Sequence, residues 1–160
     1  MQMNHRTFTP VILAISLLLC QFQAGAAETA IISNLRIKEA PPAATATAGY
    51  FMLHNRGDSE IELASVSSGG FGGIELHRTV ITDDVASMQR QDSIKVPAGG
   101  SVELKPGDLH LMLFRPAREF RAGDEIEFVF HFTDGAKVAA TAKVEAIGAQ
   151  PEADQHHSHH

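Results

Sequence analysis

The chain has 160 residues, 44% hydrophobic and 20% charged, which is enough for one domain with a sizeable core and a short tail. Its formal charge of -6 excludes the basic face that a nucleic-acid partner requires. It holds a single cysteine, Cys20, so no disulfide framework is available.

Residues 1–27 have the pattern of a secretory signal. His5 and Arg6 precede an apolar run over 11–19, and the small residues Ala24, Gly25, Ala26 and Ala27 follow. Cleavage after Ala26 or Ala27 leaves a mature chain starting near Glu28 and expected in the periplasm. The apolar run is too short for a bilayer-spanning helix, so no stable membrane insertion is expected after cleavage. Cys20 lies inside the signal. Leu19 stands before it where lipid attachment calls for a small residue, so the mature domain is expected to lack cysteine and thiolate redox chemistry.

Residues 28–147 read as an all-β domain. Strands are expected at 30–37, 49–54, 61–66, 73–78, 93–96, 101–104, 109–114, 125–132 and 137–144. The clearest is 125–132, where Ile126, Phe128, Phe130 and Phe132 alternate onto one face. Turn residues separate the strands at 55–58, 98–100, 105–108 and 134–135. The four glycines of 67–73 predict a mobile loop. Many short strands at this spacing predict an antiparallel sandwich or barrel. Residues 148–160 change in character and end in His156, His157, His159 and His160, a tail expected to be disordered and to bind metal.

The chemistry concentrates at 109–114. On a strand His110 and Met112 share one face, while Leu109, Leu111 and Leu113 point to the other. The Pro106-Gly107 turn places His110 near a strand end. A thioether is a soft, neutral donor that favours Cu(I), and imidazole beside it narrows the choice towards copper. A blue-copper electron-transfer site needs a cysteine ligand and is excluded. His77 and Met88 are candidates for two further donors, though periodicity alone does not bring them to the same place.

The spacing of these residues, H-x10-M-x21-H-x-M from His77 through Met88 and His110 to Met112, resembles the signature of the periplasmic copper chaperones called PCuAC. The flanks are similar too: Ile74-Glu75-Leu76-His77, Val96-Pro97-Ala98-Gly99-Gly100, Leu104-Lys105-Pro106-Gly107 and His110-Leu111-Met112-Leu113. The resemblance covers residues 31–144. It implies a cupredoxin-like Greek-key sandwich that binds one Cu(I) through His77, Met88, His110 and Met112. It further implies a carrier, not an enzyme, that supplies the dinuclear copper centre of cytochrome c oxidase, with oxidase subunit II or a Sco-type copper protein as acceptor. The tail histidines look like the copper-binding tails of some relatives, which take Cu(II). Two positions depart from the pattern: Leu35 stands where many relatives have Trp, and Asp108 where many have Gly. A copper buffer using the same site, or a metal-free interaction module, are the alternative readings.

Outside the motif, Met52 reads as core, His54 as a polar strand end and His131 as solvated. Asp83 and Asp84 read as a solvated turn in preference to a catalytic carboxylate pair. The chain has no Ser/His/Asp arrangement, phosphate loop or zinc-type ligand spacing.

Overall fold

The computed structural model describes residues 26–148. Most of the expected signal, residues 1–25, and the histidine tail therefore lie outside the described residues. In chain order the elements are α1 (Ala26–Thr29), β1 (Ala30–Lys38), β2 (Ala46–Asn55), β3 (Ile61–Ser67), β4 (Phe71–Thr82), β5 (Val85–Gln91), β6 (Ile94–Val96), β7 (Ser101–Leu104), β8 (Leu109–Pro116), β9 (Glu125–Phe132) and β10 (Lys137–Glu145). Ala26, at the expected cleavage boundary, is buried and donates its N–H to Asp134 Oδ2 (2.8 Å).

The strands join in the order β5-β4-β8-β2-β1-β10-β9-β3-β6, with β7 paired to β2. The β1–β10 ladder is parallel and the others are antiparallel. Five of the eight joins along this path link strands that are not consecutive in sequence, as Greek-key connections require. The path folds so that its two halves face each other. Phe51 of β2 meets Phe130 of β9 edge to face at 4.9 Å, and Phe71 of β4 lies 6.0 Å from Phe128 of β9. This is the all-β sandwich that the short strands predict and the cupredoxin-like fold that the family resemblance implies, with the parallel β1–β10 ladder making it mixed where a purely antiparallel sheet is expected.

The core rests on those alternations. Ile126, Phe128, Phe130 and Phe132 are all buried on one face of β9, and Leu109, Leu111 and Leu113 on one face of β8. Each such side chain contributes about 1.5–3 kcal/mol when fully removed from water. On β2 the inward residues are Phe51, Leu53 and Asn55. Met52, which its sequence context marks as core, instead sits half-buried on the outer face beside His54.

Two further features differ from expectation. The glycine-rich segment is mostly strand: β3 continues to Ser67 and β4 starts at Phe71, whose ring is buried. The glycines make room for a side chain. A Cβ on Gly72 would come within 2.9 Å of Arg115 Nε, and Arg115 Nη2 donates to the Gly72 carbonyl (2.6 Å). β4 also runs on to Thr82 and pairs with β5, which the sequence did not reveal. Asp83 and Asp84, both at positive φ (50° and 62°), form the two-residue turn between Thr82 and Val85. Such a turn matches the twist of a hairpin and suits Asp, so these acids are turn residues.

Candidate metal centre

Sheet register puts the four motif residues on one outer face, with His77 and His110 directly opposed, Met112 two residues to one side of that pair and Met88 two residues to the other. His77 on β4 lies directly opposite His110 on β8, and Met112 follows two residues along β8 on the same face. On the other side of β4, Met88 on β5 lies opposite Thr79, and Thr79 shares a face with His77. Directly opposed residues in an antiparallel pair project from the same face with Cβ atoms about 4.5–5.5 Å apart. All four side chains therefore leave the outer face of three adjacent strands, β5, β4 and β8. The two imidazole rings are 6.0 Å apart between centroids.

The ring nitrogens divide into two kinds. His77 Nε2 donates to Glu75 Oε2 (2.8 Å), and His110 Nδ1 donates to the Asp108 carbonyl (2.9 Å). A carboxylate and a carbonyl only accept, so these contacts put the hydrogen on those nitrogens and the lone pair on the others. The others are His77 Nδ1 and His110 Nε2. Among the described residues, these are the buried side-chain nitrogen or oxygen atoms without a hydrogen-bond partner. An unsatisfied buried polar group costs about 1–3 kcal/mol. Two of them in adjacent residues call for an occupant. A metal ion accepts both lone pairs at once, and an imidazole whose second nitrogen is anchored by an oxygen is the usual form of a metal-binding histidine.

Each anchor is itself held. Glu75 shares the outer face of β4 with His77, and its second oxygen lies 3.5 Å from Arg90 Nη1 on β5. The hydrogen bond from His77 is the main cause that keeps the Glu75 carboxyl below its ordinary range, with Arg90 adding to it. The Asp108 carbonyl also accepts the Thr79 N–H (3.2 Å), and the Asp108 carboxylate pairs with Arg78 Nη1 (3.1 Å). The turn before β8 is thus fastened to β4 at the point where His110 needs its support. The Asp at this position, a departure from the family pattern, forms an ion pair that Gly lacks.

The donors differ in exposure. His110 is buried and His77 nearly so, Met112 is half-buried, and Met88 is 60% exposed. Among the described residues no group of three or more His, Cys, Asp or Glu is placed to hold a metal ion. A metal on these two histidines would draw its remaining protein donors from the methionines, which favours a soft ion. The tail histidines His156, His157, His159 and His160 lie outside the described residues.

From sequence, Glu75 and Arg90 carry no functional role, and Asp108 is marked only as a departure from the family pattern beside the site. Glu75 was within reach: Glu75-x-His77 has the same two-residue spacing that puts His110 and Met112 on one face. Arg90 was not, because its strand was not visible.

The other two histidines among the described residues have hydroxyl partners. His54 Nε2 lies 3.0 Å from Ser33 Oγ and its Nδ1 2.8 Å from Ser101 Oγ. His131 Nε2 lies 2.7 Å from Ser67 Oγ.

A β-sandwich with a His/Met cluster on the outer face of one sheet edge is the class of protein defined by this geometry. The chain matches the LpqE-like family, whose description reads "Putative lipoprotein LpqE-like", over residues 31–144, and it belongs to that family. A curated relative is an uncharacterised protein of Rickettsia prowazekii (strain Madrid E), 35% identical over 99 residues that cover 61% of this chain and 55% of the relative. The chain spans about half the length of the curated relatives it matches. Among solved structures it is similar to the copper-bound PCuAC domain from PmoF2, with TM-score 0.64, 24% identity, and coverage of 76% of this chain and 97% of that one. It is also similar to the Cu(I) form of DR1885 from Deinococcus radiodurans, with TM-score 0.60, 24% identity, and coverage of 73% and 78%. These likenesses establish the PCuAC fold. Among the described residues no helix is long and apolar enough to cross a membrane.

Proposed function

We propose that this protein is an exported copper carrier, not an enzyme, that binds one Cu(I) through His77 Nδ1, His110 Nε2 and the thioethers of Met88 and Met112. The observation that carries this reading is the pair of buried, partnerless ring nitrogens on adjacent strands, each with its other nitrogen anchored. The methionines on the same face add soft donors, and the structural relatives include domains solved with copper bound.

The donor set explains why the site suits carriage. All four donors are neutral, so loading releases no thiol proton, and the absence of thiolate keeps each ligand replaceable. The site lies at a sheet edge, where an acceptor reaches it. The destination in this reading is the dinuclear copper centre of cytochrome c oxidase, by way of oxidase subunit II or a Sco-type protein, and the compartment is the periplasm. The tail histidines His156, His157, His159 and His160 form a second, Cu(II)-binding element.

A Cu(I) competition titration against a chromophoric chelator tests the site, using the chain truncated after Gln150 to remove the tail. His110→Ala and Met112→Ala are expected to lose most of the affinity. Unchanged affinity in both variants refutes the site. The truncation itself is expected to lower Cu(II) stoichiometry and leave Cu(I) binding intact.

A further inference from the structure

We propose that Met88 is the exchangeable ligand of this site, and that an acceptor's donor enters from the β5 edge and takes its place on the copper. This inference rests on the four-ligand reading above and adds an order to it.

The argument starts from how each donor is held. His77 and His110 each have one ring nitrogen tied to an oxygen and are largely buried, so their rings are pre-aimed. Met112 stands in the interior of the sheet, opposite Glu75 of β4 on one side and Ala48 of β2 on the other, and is half-buried. Met88 alone stands on an edge strand. β5 ends the strand order and pairs only with β4, and every residue from Val85 to Arg90 is exposed. An exposed methionine keeps its rotamer freedom in the copper-free protein and gives it up on binding copper. The buried donors have already made most of that sacrifice on folding. Met88 is therefore the last donor to bind and the first to leave.

Access points the same way. His77 Nδ1 and His110 Nε2 are closed to solvent. On the β8 side, β2 and β1 continue the sheet, whereas on the β5 side the sheet ends. On this border β5 presents Arg90, opposite His77 and held by Glu75, and Met88, opposite Thr79; of the two only Met88 carries a copper donor. Removal of its sulfur leaves copper on two imidazoles and Met112, with one position facing out.

The exchange step is a ligand substitution. A bond forms between the copper and the incoming donor, a thioether, thiolate or imidazole. The bond to the Met88 sulfur breaks, and the freed thioether returns to solvent uncharged. Copper remains Cu(I), and a neutral incoming donor moves no proton. His77, His110 and Met112 then yield in turn as the acceptor supplies further donors.

The test uses the full-length chain with His156, His157, His159 and His160 replaced by serine, loaded with one equivalent of Cu(I) and mixed with a chromophoric Cu(I) chelator. Met88→Leu keeps bulk at an exposed position, so the fold is preserved. It is expected to weaken Cu(I) binding by no more than about tenfold and to speed release to the chelator by about tenfold or more. Met112→Leu is expected to weaken binding at least about a hundredfold. Equal losses in the two variants, or release from Met88→Leu no faster than from the parent, overturn the proposal. His110→Ala separates this failure from that of the site. If His110→Ala keeps copper, the four-ligand reading fails. If it loses copper while the two methionine variants match each other, only the order of exchange fails.

Discussion

His54 and His110 both lie on the outer faces of strands, yet their ring nitrogens are treated in opposite ways. His54 is enclosed between Ser33 and Ser101, with an oxygen near each nitrogen. Beside it, buried Asn55 is saturated: Nδ2 donates to the carbonyls of Ser59, Val96 and Pro97 at 2.8, 3.0 and 3.1 Å, and Oδ1 accepts the Gly57 N–H at 2.9 Å. That end of β2 uses its polar groups to tie loops together. The β4–β8 pair uses the same kind of group differently. His77 and His110 spend one nitrogen on orientation and leave the other buried without a partner. A saturated polar cluster contributes to stability. An unsaturated one costs stability until a ligand arrives, so the open lone pair, more than the presence of histidine, distinguishes a binding site from a structural knot.

The largest expected effect is a crossed one. Asn55→Ala leaves three buried or part-buried carbonyls short of a donor and should lower stability by about 1–3 kcal/mol, read as a fall in Tm, with Cu(I) affinity unchanged. His110→Ala should do the reverse, abolishing Cu(I) binding with little loss in Tm, because the Asp108 carbonyl keeps the Thr79 N–H. A large Tm loss in His110→Ala, or weakened copper binding in Asn55→Ala, would erase the distinction between the two regions.

A smaller effect is expected at the anchor. Glu75→Ala frees the His77 ring and releases Arg90, and should weaken Cu(I) binding by about 10–100-fold. Chelator competition reads this directly, and an affinity equal to that of the parent would show that His77 is aimed by packing alone.

The smallest effect is expected at His54. His54→Ala should leave Cu(I) affinity within error and cost about 1 kcal/mol of stability, measured by denaturant titration, for two partly exposed hydrogen bonds. Any change in copper stoichiometry in that variant would give Met52 and His54 the metal role that their spacing alone does not establish.

Much of this was legible in the residues. The Phe alternation of β9 and the Leu alternation of β8 placed the core and put His110 and Met112 on one outer face, because a strand half in water shows its period of two wherever one face must be apolar. β5 escaped for the same reason in reverse. Val85 to Arg90 are exposed on both faces, so burial imposes no alternation and leaves no pattern to read. Met52 was misread because alternation fixes which residues share a face but not which face turns inward. The glycine run suggests mobility from sequence, yet the space beside Gly72 and Gly73 is filled by Arg115.

By itself the sequence determined the all-β class of the domain, the shared face of His110 and Met112 on β8 and the chemical softness of the candidate donors, all of which depend on local periodicity and side-chain chemistry. Only the tertiary structure decided that His77 stands opposite His110, that Met88 shares their outer face from an edge strand, and that Glu75 and the Asp108 carbonyl select which nitrogens remain free. Those relations join residues far apart in the chain. They are set by strand register, and register follows from burying the inner faces of both layers together, a condition that no single segment carries.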